Sequence, residues 1–178
     1  MEGGFVLVVG PSGAGKDTLI RLARARLAGD ARFAFPRRLV TRPASEHEDN
    51  VEIAEDDFVR GAETGAFALH WRAHGLGYAI PSEAAQAAGD GRCVVCNVSR
   101  RAVAEARRRL PRVRVVSVTA SPAVLAERLA ARGRSEDGDL AARLAREAPI
   151  EADLTIVNEG GREAASERLV AFLLQGAD

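Results

Sequence analysis

Continuously apolar runs rich in β-branched residues alternate along this chain with segments in which apolar residues recur every three or four positions. The first run, over 5–9, is typical of a parallel strand buried on both faces. Ile20, Ala23 and Leu27 follow it at helical spacing. Strands that alternate with helices predict an α/β fold, in which helices cover a parallel sheet.

The alternation continues to the end of the chain. Strand patterns recur at 93–98, 113–118 and 154–157, and one more strand near 32–35 would complete a five-stranded parallel core. A helix is predicted over about 100–110. Another helix is predicted to begin at the N-cap Ser121, with Pro122 in its first turn. The last predicted helix carries four apolar residues on one face, Ala165, Leu169, Phe172 and Leu173.

Two segments interrupt this rhythm. Residues 36–81 contain short strand-like pieces and a helix-like stretch at 56–64, which predicts an α+β insertion over the edge of the sheet. Residues 128–149 are rich in arginine, glycine and acidic residues, which fits either a solvated helical hairpin or a lid that brings arginines to phosphate. The predicted core of a single domain is then 1–35, 82–127 and 150–178.

The strand at 5–9 leads into Gly-Pro-Ser-Gly-Ala-Gly-Lys-Asp at 10–17. This is the Gly-x-x-x-x-Gly-Lys loop, placed between a strand and a helix so that backbone N–H groups and the helix dipole face phosphate. Lys16 is the only lysine in the chain, and its compact ammonium reaches between phosphates where a guanidinium fits poorly. A glycine-rich turn that binds nothing is the alternative, which the flanking elements disfavour.

We therefore predict a nucleoside triphosphate site on this loop. Since phosphoryl transfer needs cationic partners, the loop also favours the lid for 128–149. Arg132 and Arg143 are expected on the phosphates during transfer together with Lys16, and Arg128 and Arg134 are expected behind them. The predicted phosphate-binding residues are Gly10, Ser12, Gly13, Ala14, Gly15, Lys16, Asp17 and Thr18.

Asp17 follows the loop lysine and precedes Thr18. A carboxylate repels a triphosphate unless a cation stands between them, so Mg²⁺ is the natural bridge. The strand at 93–98 offers Asn97 rather than a carboxylate, so Asp17 would supply the missing negative ligand. The alternative is that Asp17 caps the helix while Thr18 serves the metal. Asp17 and Thr18 are the predicted metal ligands, directly or through water.

Composition excludes several functional classes. The 178 residues carry a formal net charge of zero and an isoelectric point near 6.9, so no global field favours nucleic acid or an anionic membrane. No apolar stretch approaches a membrane span, and the first apolar run is too short for a signal peptide. A cytoplasmic protein that acts on small molecules is expected.

Cys93 and Cys96 have the spacing of a redox or zinc motif. They lie in a predicted buried strand, where an odd offset points their side chains to opposite faces. A zinc site would also need a second pair of ligands, and the sequence shows no recognisable pair. We interpret both cysteines as small buried hydrophobic residues.

The chain has a phosphate loop, an insertion and an arginine-rich lid in this order. In this arrangement it resembles the nucleoside monophosphate kinases, and among them it is most similar to guanylate kinases. The resemblance covers essentially the whole chain and implies their P-loop kinase fold, three layers of helix, sheet and helix. The segments that carry it are 10–16, Thr41-Arg42-Pro43, 55–58, 65–67, His74-Gly75 with Tyr78, Arg128-Leu129, Arg132-Gly133, Arg143-Leu144 and 156–158.

The chain departs from guanylate kinases at residues that read guanine and also in the phosphate loop. His70 stands where they have a glutamate before the tryptophan, and Asn97 replaces an acidic residue. Asn50 replaces an aromatic residue, and Asp17 replaces a serine or threonine. A pocket that loses its hydrogen-bonding partners loses discrimination for the base, so we expect phosphate recognition without guanine recognition.

This combination resembles the ribose 1,5-bisphosphate phosphokinases, guanylate-kinase-like enzymes of bacterial phosphonate breakdown. The shared motifs are Gly15-Lys16-Asp17, Thr41-Arg42-Pro43, Leu69-His70-Trp71, His74-Gly75-Leu76 and Asn97-Val98-Ser99-Arg100. The resemblance implies transfer of the γ-phosphoryl group of ATP, with Mg²⁺, to the 1-phosphate of ribose 1,5-bisphosphate. The products would be 5-phosphoribosyl 1-diphosphate and ADP.

The acceptor site is expected to combine arginines with short polar side chains. Because a guanidinium offers phosphate a bidentate fork, Arg42 is the first candidate and Arg38 the second, although Arg38 fits a solvated surface equally well. Ribose hydroxyls need short polar partners, and the histidines among the candidates fit a structural role equally well. The remaining candidates are Glu48, Asp49, His70, Tyr78, Asn97 and Arg100 for the acceptor, with Asn158 implied beside the adenine by the resemblance.

Two other functions stay open on the sequence alone. A guanylate kinase with an atypical base pocket would act on GMP, although the missing glutamate argues against it. A non-catalytic guanylate-kinase-like module would bind ATP without turnover, but such domains typically lose the phosphate loop that this chain keeps.

Overall fold

A five-stranded parallel sheet forms the centre of the protein. The computed structural model describes residues 3–44, 49–131 and 150–176. The strands run in the order β2, β7, β1, β8, β9, all parallel, which confirms the five-stranded core predicted from the apolar runs. Their bounds are β1 Gly4–Val9, β2 Phe33–Ala34, β7 Cys93–Asn97, β8 Val113–Thr119 and β9 Leu154–Val157.

Helices cover both faces of this sheet, because alternate residues of its strands are buried on opposite sides. In β1, Val6 and Val8 pack in one apolar cluster, whereas Phe5, Leu7 and Val9 pack in the other. The first cluster contains residues of α1 Lys16–Arg26, α5 Pro122–Ala131 and α6 Arg162–Gln175. The second contains residues of α3 Ser82–Gly89 and α4 Val103–Arg109, which follows a 3₁₀ turn at Arg100–Ala102.

The insertion forms a second sheet, with strand order β4, β3, β6, β5. Its strand β3 pairs with β4 in parallel and with β6 in antiparallel, and β5 pairs with β6 in antiparallel. One face packs on the core through Leu69, Trp71 and Ile80, and the other carries helix α2 through Phe58. The bounds are β3 Arg38–Val40, β4 Asn50–Glu52, α2 Glu55–Thr64, β5 Phe67–Ala73 and β6 Leu76–Pro81.

The two cysteines lie where the strand alternation predicts. Cys93 belongs to one apolar cluster and Cys96 to the other, so their side chains are on opposite faces of β7 and both thiols are free. Burial raises the pKa of the Cys96 thiol far above its usual range, which makes it a poor nucleophile and metal ligand. Their interpretation as buried hydrophobic residues is confirmed.

Some sequence predictions concern residues that lie outside the described ranges. These are Glu48 in the insertion and the lid residues Arg132, Arg134 and Arg143. Within the described ranges, no helix has both the length and the apolar character needed to cross a membrane.

Candidate active site

The phosphate loop connects β1, in the middle of the sheet, to α1. Parallel sheets bind ligands at the carboxyl ends of their central strands, and the loop occupies that position. Gly10, Gly13 and Gly15 have positive φ angles of 144°, 84° and 92°, which favour glycine. A Cβ on Gly10 would also overlap the carbonyl oxygen of Val118, so this turn lies against the next strand. The loop conformation therefore depends on its glycines.

Lys16 is the first residue of α1, and its ammonium group folds back to bond the loop. Its Nζ donates to the carbonyl oxygens of Gly10 at 2.8 Å and Pro11 at 3.0 Å. Ala14 is fully buried, whereas Ser12 is exposed at the loop surface. Lys16, Asp17 and Thr18 occupy the first turn of the helix, where the helix dipole favours an anion.

Two polar side chains support the loop from beneath. Asn158 is buried and its Nδ2 donates to the carbonyl oxygen of Ala14 at 2.8 Å. Arg128 donates to the carbonyl oxygens of Gly13 at 3.2 Å and Asn158 at 2.6 Å. The resemblance implied adenine contact for Asn158, but its amide nitrogen is bonded to the loop. Arg128, expected at the start of a lid, is fixed to the loop from helix α5.

Asp17 and Asn97 meet at the foot of a cleft beside the loop. Asn97 Nδ2 donates to Asp17 Oδ1 at 2.6 Å. Asn97 lies near the loop because strand pairing places it beside Val8, at the end of β1 that leads into the loop. Asn97 is 8% exposed, and its Oδ1 is buried without a hydrogen bond to any described residue. An unbonded buried oxygen is costly, so this atom can accept a hydrogen bond from a ligand or a bound water.

The cleft lies between α1 and the insertion and opens to solvent. It brings together four predicted site residues, Asp17, Arg38, Asp49 and Asn97. It also contains two arginines of α1 that were not predicted to be site residues, Arg21 and Arg24. Their helical spacing from Asp17, four and seven residues, is the signal that could have identified them.

Arg38 and Asp49 are both held by neighbours. Arg38 Nε donates to Asn50 Oδ1 at 3.2 Å, and its guanidinium lies 4.9 Å from the ring centre of Tyr78. Tyr78 in turn stacks on Trp71, with ring centres 5.6 Å apart. Asp49 accepts from Arg24 at 2.6 Å and also faces Arg37 at 3.7 Å. Tyr78 therefore supports Arg38, and Asp49 fixes arginines at the edge of the cleft.

Four predicted acceptor residues do not line this cleft: Tyr78, which supports Arg38, and also Arg42, Arg100 and His70. Arg42 follows β3 in a turn where Thr41 Oγ1 accepts from the Gly77 N–H at 2.8 Å. Arg100 begins the 3₁₀ turn that Ser99 caps. His70 pairs with Ala79, whose side chain packs in the α2 cluster, so it lies on the face of the insertion opposite Trp71 and Tyr78. The structure does not bring His70 to the residues with which it was grouped.

The surroundings of His70 predict a pH-dependent stability. Burial, followed by the positive charge of Arg109, lowers the pKa of His70. The unfolded chain therefore takes up a proton near the ordinary pKa of about 6.5 before the folded protein does. The stability that neutral His70 contributes is complete above a pH of about 6.5, and it is lost as the pH falls through the pKa of His70 in the folded protein.

His70→Phe should accordingly reduce the fall in the free energy of unfolding between about pH 7 and about pH 5. Urea denaturation at several pH values measures it. His74→Asn is the matched control, since His74 is exposed in a turn with a φ of 53° that asparagine tolerates. Equal pH dependence in wild type and His70→Phe would contradict the prediction.

Comparison with known proteins gives consistent results. Residues 6–147 match the model of the family described as an AAA domain. The chain is 63% identical to the ribose 1,5-bisphosphate phosphokinase PhnN of Methylobacterium radiotolerans, with 97% of this chain and 98% of that protein covered. It is 51% identical to the protein of the same name from Bradyrhizobium diazoefficiens, with 96% and 88% covered.

Among solved structures, a guanylate kinase from Anaplasma phagocytophilum has a similar fold. Its TM-score is 0.70 at 18% sequence identity, with 99% of this chain and 87% of that chain covered. At this identity the similarity concerns the fold alone, and it confirms the guanylate-kinase-like architecture predicted for the chain.

Proposed function

Since the chain belongs to the AAA domain family and to the ribose 1,5-bisphosphate phosphokinases PhnN, we propose that its phosphate loop and the cleft beside it carry out the reaction of that kinase. The enzyme transfers the γ-phosphoryl group of ATP to the 1-phosphate of ribose 1,5-bisphosphate, giving 5-phosphoribosyl 1-diphosphate and ADP. An acceptor phosphate is already ionised at neutral pH, so the protein needs to position it and to neutralise charge rather than to remove a proton.

The cleft is the observation that supports this acceptor best. Its two carboxylates among the described residues are both engaged, Asp17 with Asn97 and Asp49 with Arg24. A guanine base would have to displace Asn97 from Asp17, or Arg24 from Asp49, before either carboxylate could bind its edge. The remaining charged side chains are arginines, which suit phosphate groups. This arrangement favours a sugar phosphate over GMP.

The donor side follows from the loop. Backbone N–H groups of residues 13–18 and the ammonium of Lys16 would hold the β- and γ-phosphates. Arg128 and Asn158 keep the loop in place from beneath, so these groups are arranged before the nucleotide binds. Arg132 and Arg143 remain our candidates for neutralising charge on the transferred group.

The chemistry of Asp17 fits Mg²⁺. Magnesium is usually held by one or two carboxylates together with phosphate oxygens and water, and Asp17 provides one carboxylate in the first turn of α1. The described residues contain no cluster of three or more histidine, cysteine or acidic side chains that would favour another metal site. We propose that Asp17 and Thr18 would hold the ion, and that the buried Asn97 Oδ1 would accept a hydrogen bond from water in the same site. When bound, the ion supplies charge neutralisation of the triphosphate.

The acceptor assay tests this function. Purified protein with Mg-ATP should release ADP rapidly when ribose 1,5-bisphosphate is added, and at no more than the background rate when GMP is added. Coupled detection of ADP measures both, and a reaction without acceptor gives the background. Turnover with GMP alone would mean that guanine is read by other residues and would overturn the proposal. ATP binding without turnover on either acceptor would favour the non-catalytic module.

A further inference from the structure

The far end of the cleft contains a cationic patch, Arg21 with Arg24, that phosphoryl transfer at the loop does not use. A sugar bisphosphate has a second phosphate, at carbon 5, that takes no part in the transfer. On the proposed function, on which this inference rests, that phosphate needs an anion site one sugar away from the reacting phosphate. The patch lies on the same helix face as Asp17 and opens into the same cleft.

The spacing of residues along α1 places the patch about one sugar length away from Asp17. Asp17, Ile20, Arg21 and Arg24 all line the cleft from α1. At a rise of 1.5 Å per residue, Arg21 is about 6 Å and Arg24 about 10 Å from Asp17 along the helix axis. This span is comparable with the length of a pentose that has phosphates at both ends. Ile20, Phe35 and Pro36 give the cleft apolar wall between its two ends.

The charges of the patch suit a dianion. Arg24 is 43% exposed and donates to Asp49, which also faces Arg37. An exposed ion pair contributes little stability, so Arg24 can exchange its carboxylate partner for a phosphate at small cost. The side chain of Arg21 has no hydrogen bond or ion pair to any other described residue. Two guanidinium groups can therefore reach one phosphate, each in a bidentate manner.

We propose that Arg24 and Arg21 bind the 5-phosphate of the acceptor and make the enzyme specific for a bisphosphorylated pentose. Asp49 is then a positioning residue that keeps Arg24 directed into the cleft before the sugar binds. The reacting 1-phosphate lies at the other end, beside the loop and the pair of Asp17 and Asn97.

Truncated acceptors test this assignment by equilibrium titration without ATP. Arg24→Gln should weaken the binding of ribose 1,5-bisphosphate and of ribose 5-phosphate about 10- to 100-fold, the loss typical of one hydrogen bond between charged groups. Binding of ribose 1-phosphate, which lacks the group in question, should change less than about twofold. Arg21→Gln should act in the same direction. Arg26→Gln is the matched control, since Arg26 is exposed on the same helix and does not line the cleft.

The outcomes separate this inference from the function on which it rests. If Arg24→Gln weakens the binding of all three sugar phosphates equally, or weakens the binding of none, the assignment is overturned. Turnover of ribose 1,5-bisphosphate by wild type would still support the kinase in that case. Selective weakening supports the assignment even if wild type transfers no phosphoryl group, in which case the proposed function fails alone. Thermal unfolding of each variant checks that the fold is intact. In the kinetic assay, the expected change is a higher KM for the bisphosphate with kcat nearly unchanged.

Discussion

Replacing Lys16 with methionine is expected to reduce the rate of phosphoryl transfer about a thousandfold or more while the protein remains folded. The ammonium is the only lysine charge in the chain, and it lies over the loop at 2.8 Å and 3.0 Å from two loop carbonyl oxygens. Methionine retains an unbranched side chain but no charge, so it removes the neutralising partner of the β- and γ-phosphates. Steady-state ADP release measures the loss, and thermal unfolding reports the fold.

Lys16→Arg is the informative control because it keeps the charge and changes only its shape. A planar guanidinium needs more space than an ammonium at the place where Lys16 Nζ reaches the carbonyl oxygens of Gly10 and Pro11, so we expect a large loss here as well. Arg26→Lys, which exchanges the same two residue types on the exposed side of α1, should leave the rate unchanged. A Lys16→Met variant within about tenfold of wild type would contradict the central role of the ammonium.

The core of the fold was predictable because its strands are buried on both faces. Continuous apolar runs such as 5–9 have few other structural explanations in a chain with helical patterns between them. The loop was predictable for a related reason, since its glycines and its lysine must occur in a fixed order between a strand and a helix. Helix α3 was missed, because its buried face consists of Ala84 and Ala88, which give only a weak apolar pattern.

The supporting contacts of the site were harder to predict because they join distant parts of the chain. Arg128 bonds a loop residue 115 positions away, and Asn158 bonds one 144 positions away. No local pattern specifies such pairs. The arginine-rich composition of 128–149 assigned Arg128 to the lid, and the resemblance assigned Asn158 to the adenine, whereas in the structure both side chains bond to the loop.

Strand alternation determines the face of the insertion on which His70 lies. Neighbouring residues of a strand point to opposite faces, so His70 and Trp71 cannot both face the core side of the insertion. Trp71 packs on the core with Tyr78, and His70 lies near Phe58 and Phe67 instead. The resemblance selected His70 from its place in the sequence, whereas its side chain faces away from the cleft, so a role in acceptor binding stays a prediction.

Asp17→Asn should change the binding of ATP in opposite directions with and without Mg²⁺. Without the metal, the Asp17 carboxylate repels the triphosphate, so its removal should tighten ATP binding. With the metal, the variant lacks a ligand, so the Mg²⁺ concentration for half-maximal activity should rise about 10- to 100-fold. A capping role would instead change helix stability and leave both binding constants nearly equal to those of wild type. Equilibrium titration with ATP, in buffer with EDTA and in buffer with Mg²⁺, distinguishes the two roles.

Asn97→Asp provides the opposite change of charge at the same place. Asn97 Nδ2 donates to Asp17 Oδ1 at 2.6 Å, so an aspartate there would set two carboxylates against each other in a buried site. Mg-free ATP should then bind more weakly than to wild type, and activity should depend more steeply on the Mg²⁺ concentration. The two variants therefore predict shifts of opposite sign in Mg-free ATP binding. Shifts of the same sign would show that the pair supports the local fold and does not set the charge that faces the nucleotide.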